Sequence, residues 1–280
     1  SRIKLSSSSK KELLFLCYNL PMLTQITQSV YISDFDSSND RPRLGYIKGS
    51  RYNVMIDAGN SPAHFNDFIQ ECTKIGLPLP DFILLTHWHW DHVYGLSATK
   101  IPTICSQLTQ DKLIEMSHWK WDDESMRKRL ETGEDIEFCD QNIRIEYTNP
   151  QTIQVRLADI TFEDKRVIHL GDKECILQHI DNDHASDSIV IYVPEEKVIF
   201  LGDIISPDYH HGYMHYTSKK YNDLKESLFK YDFEYAIHGH TEVFNRDSLN
   251  QFFLEPECQI KESNDDDSLF LFTHLINNRF

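Results

Sequence analysis

The stretch Phe82-Ile83-Leu84-Leu85-Thr86-His87-Trp88-His89-Trp90-Asp91-His92 decides how this chain reads. Its first four residues are an apolar run of the length of a buried strand. Directly after it, His87, His89, Asp91 and His92 place four metal-capable side chains in one short loop. In extended chain, side chains two apart point the same way, so His87 and His89 can converge on one ion. Asp91 and His92 lie beyond them and can turn toward a second. Imidazole and carboxylate together suit Zn, Fe or Mn, and no thiolate is needed.

Upstream, residues 24–32, 44–48 and 53–56 read as three strands of an antiparallel meander. The last ends in the turn Asp57-Ala58-Gly59-Asn60. Ser61-Pro62 then opens a helix, with Ser as cap and Pro at the first helical position. Phe65, Phe68, Ile69, Cys72 and Ile75 follow at helical spacing, so one face is buried. Strand, helix, strand in this order predicts an α/β layer arrangement.

Downstream, 101–105 reads as a strand and 107–116 as a helix. Residues 117–140 are polar and charged, with Trp119 and Trp121, and read as a helical excursion or lid rather than core. Strands are expected at 143–147, 153–157, 166–169, 174–180, 188–193 and 197–201, with a hairpin at Gly171-Asp172. Helices are expected at 219–230 and 247–254, and a last short strand at 235–237. Residues 1–21 read as an extension ahead of the domain, with Met22 a natural start. Residues 22–260 read as one domain, and 261–280 as a tail packing on it, its apolar run 269–272 an edge strand or packing segment.

The bulk numbers bound the function. With 280 residues and 40% hydrophobic content, the chain suffices for a large core. A net charge of −16 repels polyanions, because nucleic-acid affinity rests on Lys and Arg neutralising phosphates. No nucleic-acid partner is expected, and no apolar run reaches the roughly 20 residues of a membrane helix. The six cysteines include no CxxC pair and read as reduced thiols of a cytoplasmic protein.

His87-x-His89-x-Asp91-His92 resembles the HxHxDH signature of the metallo-β-lactamase-fold superfamily. Four further motifs follow that resemblance in order. They are Asp57-Ala58-Gly59, His184 in Asp183-His184-Ala185-Ser186-Asp187-Ser188, Asp203 in Leu201-Gly202-Asp203, and His240 in His238-Gly239-His240. The resemblance spans roughly residues 23–243. It implies a four-layer αββα sandwich with a metal site at one edge of two sheets. It assigns His87, His89 and His184 to one ion, and Asp91, His92 and His240 to another, with Asp203 bridging. Asp57 stands behind the ligands and braces their loops. His238 competes with His240 for the last position; His240 is the better Gly-His match, and His238 reads as packing beneath.

The same resemblance implies a dinuclear metallo-hydrolase, with Zn the first choice and Fe or Mn also suited. A hydroxide held between the ions would attack a small ester, thioester, lactone or phosphodiester, with Asp91 orienting it or relaying a proton. The position that is Cys in many true β-lactamases is Asp203 here, which disfavours β-lactam hydrolysis. Tyr209, His210, His211, Tyr213 and His215 follow the bridging Asp and are candidates for positioning substrate. The competing reading is an iron-dependent redox protein acting on oxygen or a persulfide. Substrate, metal identity and oligomeric state reside in features that the motifs do not encode.

Overall fold

The computed structural model describes residues 23–256 and 258–261. The expected extension at 1–21 lies outside the described residues, as does the tail beyond Lys261.

The first sheet holds seven strands in chain order. They are β1 (Thr24–Gln25), β2 (Val30–Ile32), β3 (Gly45–Lys48), β4 (Asn53–Ile56), β5 (Phe82–Leu84), β6 (Thr103–Ser106) and β7 (Ile160–Phe162). β1 to β4 form the expected antiparallel meander, and β4 to β7 pair in parallel. The remaining strands are β8 (Lys165–His169), β9 (Glu174–His179), β10 (Ile189–Val193), β11 (Val198–Gly202), β12 (His215–Thr217), β13 (Tyr235–His238) and β14 (Gln259–Lys261). Five of them make the second sheet, in the order β13-β11-β10-β9-β8, while β12 pairs with β14 apart from it.

Period-two alternation explains the layers. On β4, Val54 and Ile56 face the second sheet and Met55 faces outward. On β11, Val198 and Phe200 meet the first sheet, and Ile199 and Leu201 point away from it. Each sheet therefore carries apolar residues on both faces, and each outer face needs helices. Over the first sheet lie α1 (Pro62–Lys74), α2 (Trp90–Val93), α3 (Gln107–Ser117), α4 (Asp123–Thr132) and α5 (Glu137–Glu146). Over the second lie α6 (Ser218–Leu228) and α7 (Arg246–Leu254), through Tyr221, Leu224, Leu228, Leu249 and Phe253. The result is the αββα sandwich. The Ser61 side chain caps α1 by accepting from His64 N, and Pro62 opens the helix.

Four expectations need correction. Residues 24–32 are two strands, because Ile26 N turns back to Val30 O at 2.9 Å. Residues 143–146 belong to helix and Tyr147 caps it: Ile143 and Tyr147 are as well spaced for one helical face as for a strand, and Tyr147 N donates to Ile143 O at 2.8 Å. Residues 153–157 form no strand; the strand at the edge is β7, a few residues on. The 117–140 excursion is helical as expected, yet it packs into the core through Trp121, Met126 and the Arg129 stem. The Arg129 guanidinium stacks 4.6 Å and 4.7 Å from the Trp119 and Trp121 rings, which is how a polar segment closes over an apolar layer.

Among the described residues no helix is long and apolar enough to cross a membrane. Ile191, fully buried between the sheets, tests the sandwich directly. Ile191→Ala is expected to destabilise the chain by about 2–5 kcal/mol, read as a lower urea midpoint at constant slope.

Candidate metal centre

Sheet topology gathers the candidate ligands at one edge. β4 and β5 run parallel, so Asp57 and Thr86-His87 leave the first sheet at the same end. β11 and β13 run parallel, so Asp203 and His240 leave the second sheet together. β10 is antiparallel to β11, so its start, just after His184, lies there too. Ile189 N donates to Thr86 O at 2.8 Å and ties the two sheets at this edge.

Two groups of donors result. His87, His89 and His184 are buried, with ligand atoms within 4.8 Å of one another; Asp91, His92, Asp203 and His240 form a second such group. The groups adjoin: the His87 and His92 rings are 4.2 Å apart. Asp203 reaches both. Its Oδ2 lies 3.8 Å from His184 Nε2, 3.4 Å from His92 Nε2 and 3.2 Å from His240 Nε2.

The supporting hydrogen bonds fix how the rings present themselves. Asp57 accepts from Thr86 N at 2.7 Å, from Thr86 Oγ1 at 2.8 Å and from His92 Nδ1 at 2.8 Å. Having donated its proton to Asp57, the Thr86 hydroxyl accepts from His87 Nδ1 at 3.0 Å. His184 Nδ1 donates to Pro207 O at 3.3 Å. In each case Nδ1 carries a proton and Nε2 is turned into the site, and at His87 and His184 Nε2 is left with a free lone pair. His87 Nε2, His92 Nε2, His184 Nε2 and Asp203 Oδ1 are buried with no hydrogen-bond partner. Buried polar atoms left unpaired in this way are costly unless a cation completes them, so the donor set fits divalent metal.

The charge balance agrees. Burial, with the neighbouring imidazoles, pushes His87 and His89 well below the usual histidine range; burial lowers His184. These three are neutral, the form that ligates metal. Burial also opposes charge on His92 and His240, but Asp91 and Asp203 override it and hold both well above that range. Asp91 and Asp203 are correspondingly held low by His92 and His240 against their own burial. Protons thus sit between these imidazoles and carboxylates where a cation's charge would otherwise be.

His238 is placed differently from His240. Its Nδ1 accepts from the backbone N of His240 at 3.0 Å, and its Nε2 lies 3.1 Å from Ser206 Oγ. Both nitrogens are engaged beneath the site. In the loop after Asp203, the Tyr209 ring is 5.9 Å from His184, and the His210 ring is 5.3 Å from His89. His211 pairs with Asp208 at 2.8 Å, Tyr213 lies under Lys261 Nζ at 4.2 Å, and His215 Nδ1 donates to Tyr213 O at 2.9 Å.

Two carboxylates carry no role in the sequence reading. Asp40, on the loop before β3, comes within 3.7 Å of His240. Burial, then repulsion from Asp91, pushes its pKa up to about 7. Asp187 accepts from Thr109 Oγ1 at 2.7 Å and so binds the His184 loop to α3. Three residues from His184, it was visible only as part of a motif. Burial pushes Asp187 up to about 6. An acid raised above its ordinary value contributes stability that is complete below about pH 4 and is lost as pH rises through about 6. Asp187→Asn keeps an acceptor for Thr109 and cannot ionise. Thermal melts of the metal-free variant are expected to be flatter between pH 4 and 7 than those of the parent, by up to about 3 kcal/mol.

Comparison with known proteins agrees with this geometry. A family model described as the Metallo-beta-lactamase superfamily matches residues 45–240, more than half of the chain. A UPF0173 protein of Pyrococcus abyssi is 32% identical over 92 residues, which cover 33% of this chain and 43% of that protein, so the match spans under half of its length. Among solved structures, a metallo-beta-lactamase from Pontibacter korlensis superposes with a TM-score of 0.58 at 16% identity, covering 84% of this chain and 97% of that one. The sec-alkylsulfatase Pisa1 from Pseudomonas sp. superposes with a TM-score of 0.61 at 13% identity, covering 84% of this chain and 40% of that one. At such identities these structures bear on fold alone, and with the matched span they lead to one conclusion: the chain belongs to the metallo-β-lactamase superfamily.

Proposed function

We propose that the chain is a dinuclear metal-dependent hydrolase of a small ester, thioester, lactone or phosphodiester, with residues 22–260 as its catalytic domain. The observation that carries this reading is the position of Asp203. One carboxylate oxygen stands 3.8 Å from His184 Nε2 in the first donor group and 3.2 Å from His240 Nε2 in the second. A carboxylate placed between two sets of imidazoles supports a pair of ions that share it.

In this reading His87, His89 and His184 hold one ion, and Asp91, His92 and His240 the other, with Asp203 shared. Two divalent ions, Zn foremost and Fe or Mn as alternatives, would supply a water acidified to a pKa of about 7 and a Lewis acid for the scissile carbonyl or phosphoryl group. The protein's own part is positioning and proton handling. Asp91 Oδ2 lies 3.0 Å from His240 Nε2 and 3.1 Å from His92 Nε2, so an ionised carboxylate stands within the second donor group, where it would orient a nucleophilic water or take its proton. Tyr209 and His210 stand over His184 and His89 at the other group. Burial, then His184, pushes His210 down to about 4, so at neutral pH it offers a neutral ring that can hydrogen-bond substrate. A net charge of −16 favours a small substrate over a polyanion. Cys72, Cys105, Cys139 and Cys175 are free thiols, which supports a reducing, cytoplasmic setting.

Metal analysis of the purified protein, with turnover of nitrophenyl esters and bis-nitrophenyl phosphate, tests the reading. Two ions per chain are expected. Asp203→Asn, which keeps shape and removes charge, should fall toward one ion and lose at least about 100-fold in kcat. Absence of bound metal, or turnover unchanged in His87→Ala, would sink it. Iron with oxygen uptake and no ester turnover would favour the redox alternative.

A further inference from the structure

We propose that Asp40 is a positioning residue for the second donor group, its carboxylate holding the His240 ring so that Nε2 faces Asp91 and Asp203. The proposal rests on the metal-centre reading above.

His240 needs such an anchor. Its side chain is 24% exposed, against 7% for Asp91 and Asp203, so packing restrains it least. Its Nε2 is turned inward, 3.0 Å from Asp91 Oδ2 and 3.2 Å from Asp203 Oδ2. Its Nδ1 is turned the other way, 3.7 Å from Asp40 Oδ1. An imidazole that presents Nε2 to an ion must carry its proton on Nδ1, and an acceptor beside Nδ1 selects that tautomer and orientation. Asp57 does this for His92 through a hydrogen bond of 2.8 Å; Asp40 stands on the same side of His240 at 3.7 Å, beyond a direct hydrogen bond, and acts on the ring as an ion pair.

The loop is built to deliver this carboxylate. Asp36 and Arg41 exchange backbone hydrogen bonds of 2.8 and 2.9 Å across the turn. Asp40 sits in the left-handed region at φ 55, where Gly or Asn is the easier occupant. Both of its neighbours are gripped by one buried carboxylate on α5, Glu146. Asn39 Nδ2 donates to it at 2.6 Å, and Arg41 Nη2 at 2.7 Å. Arg43 N donates to Gly239 O at 2.7 Å, which ties this segment to the residue preceding His240. Such a network would hold Asn or Gly at position 40 with less strain. A carboxylate there, near Asp91 and Asp203, adds repulsion that only positive charge at the centre offsets.

The test uses Asp40→Gly, which suits the backbone and removes the carboxylate, and Asp40→Asn, which keeps shape and an acceptor without the charge. Each metal-stripped chain is titrated with Co(II) against a chromophoric chelator. In Asp40→Gly the second equivalent is expected to bind about 10–100-fold more weakly with the first unchanged, and Asp40→Asn should recover part of the loss. With Zn(II) bound, imidazole 15N shifts should show His240 ligated through Nε2 with Nδ1 protonated in the parent, and a mixture of ring states in Asp40→Gly. Equal second-ion affinity in all three chains overturns the proposal. So does equal weakening of both equivalents together with a lowered melting point, which marks a purely structural loop. Failure of the parent itself to take up metal would overturn the underlying reading instead, and the proposal with it.

Discussion

The Asp57 carboxylate is the point on which the rest of the site depends. It is almost wholly buried, and a charge there is tolerable only when its oxygens are met by donors. They are met by Thr86 N, Thr86 Oγ1 and His92 Nδ1. Those three donors belong to the end of β5 and the short helix after it, so one side chain joins three elements. The tie continues in the backbone, where Ala58 N donates to His92 O at 2.8 Å. Asp57 itself adopts φ 58, an uncommon conformation for a non-glycine residue. Turn, strand end and helix thus hold one another, and the imidazole tautomers follow from that arrangement.

The second sheet must then come close, and two glycines allow it. Gly202 has φ 52, and a Cβ there would lie 2.6 Å from Thr86 Oγ1. A Cβ on Gly239 would collide with Asp203 Oδ1. The glycines in Leu201-Gly202-Asp203 and His238-Gly239-His240 are therefore requirements of contact between the loops that carry the candidate donors. The register of β11 against β13 shifts between Phe200 and Gly202, and Gly239 N still reaches Gly202 O at 3.0 Å. Without side chains at these two positions, Asp203 can stand between both donor groups.

Much of this was readable in the sequence because the signals were local. His87, His89, Asp91 and His92 lie together after an apolar run, and Asp57, Asp203 and His240 each follow a short strand with a glycine within two residues. What escaped reading was of two kinds. Ile143 and Tyr147 satisfy strand and helix spacing equally in so short a window, and the helix won because α5 lays Ile143 into the core. Asp40 escaped because nothing near it in the sequence marks it. Its meaning comes from His240, brought beside it only by the finished sandwich. Trp121 was read as part of a lid for the same reason: its burial depends on stacking with Arg129, a partner that charge alone places on a surface.

The ties at the centre are long in sequence. Asp57 meets Thr86 across 29 positions, and Asp91 meets His240 across 149. Closing loops of that size costs entropy that only a completed core repays, so contacts of this kind form late in folding. The donor cluster is accordingly a product of the fold and not its seed. An ion has no preformed nest to bind in the unfolded chain, so its affinity adds to the stability of the whole sandwich by mass action. The donor nearest solvent is His240, which stands two residues past the final strand of the second sheet and borders the cluster on its outer side.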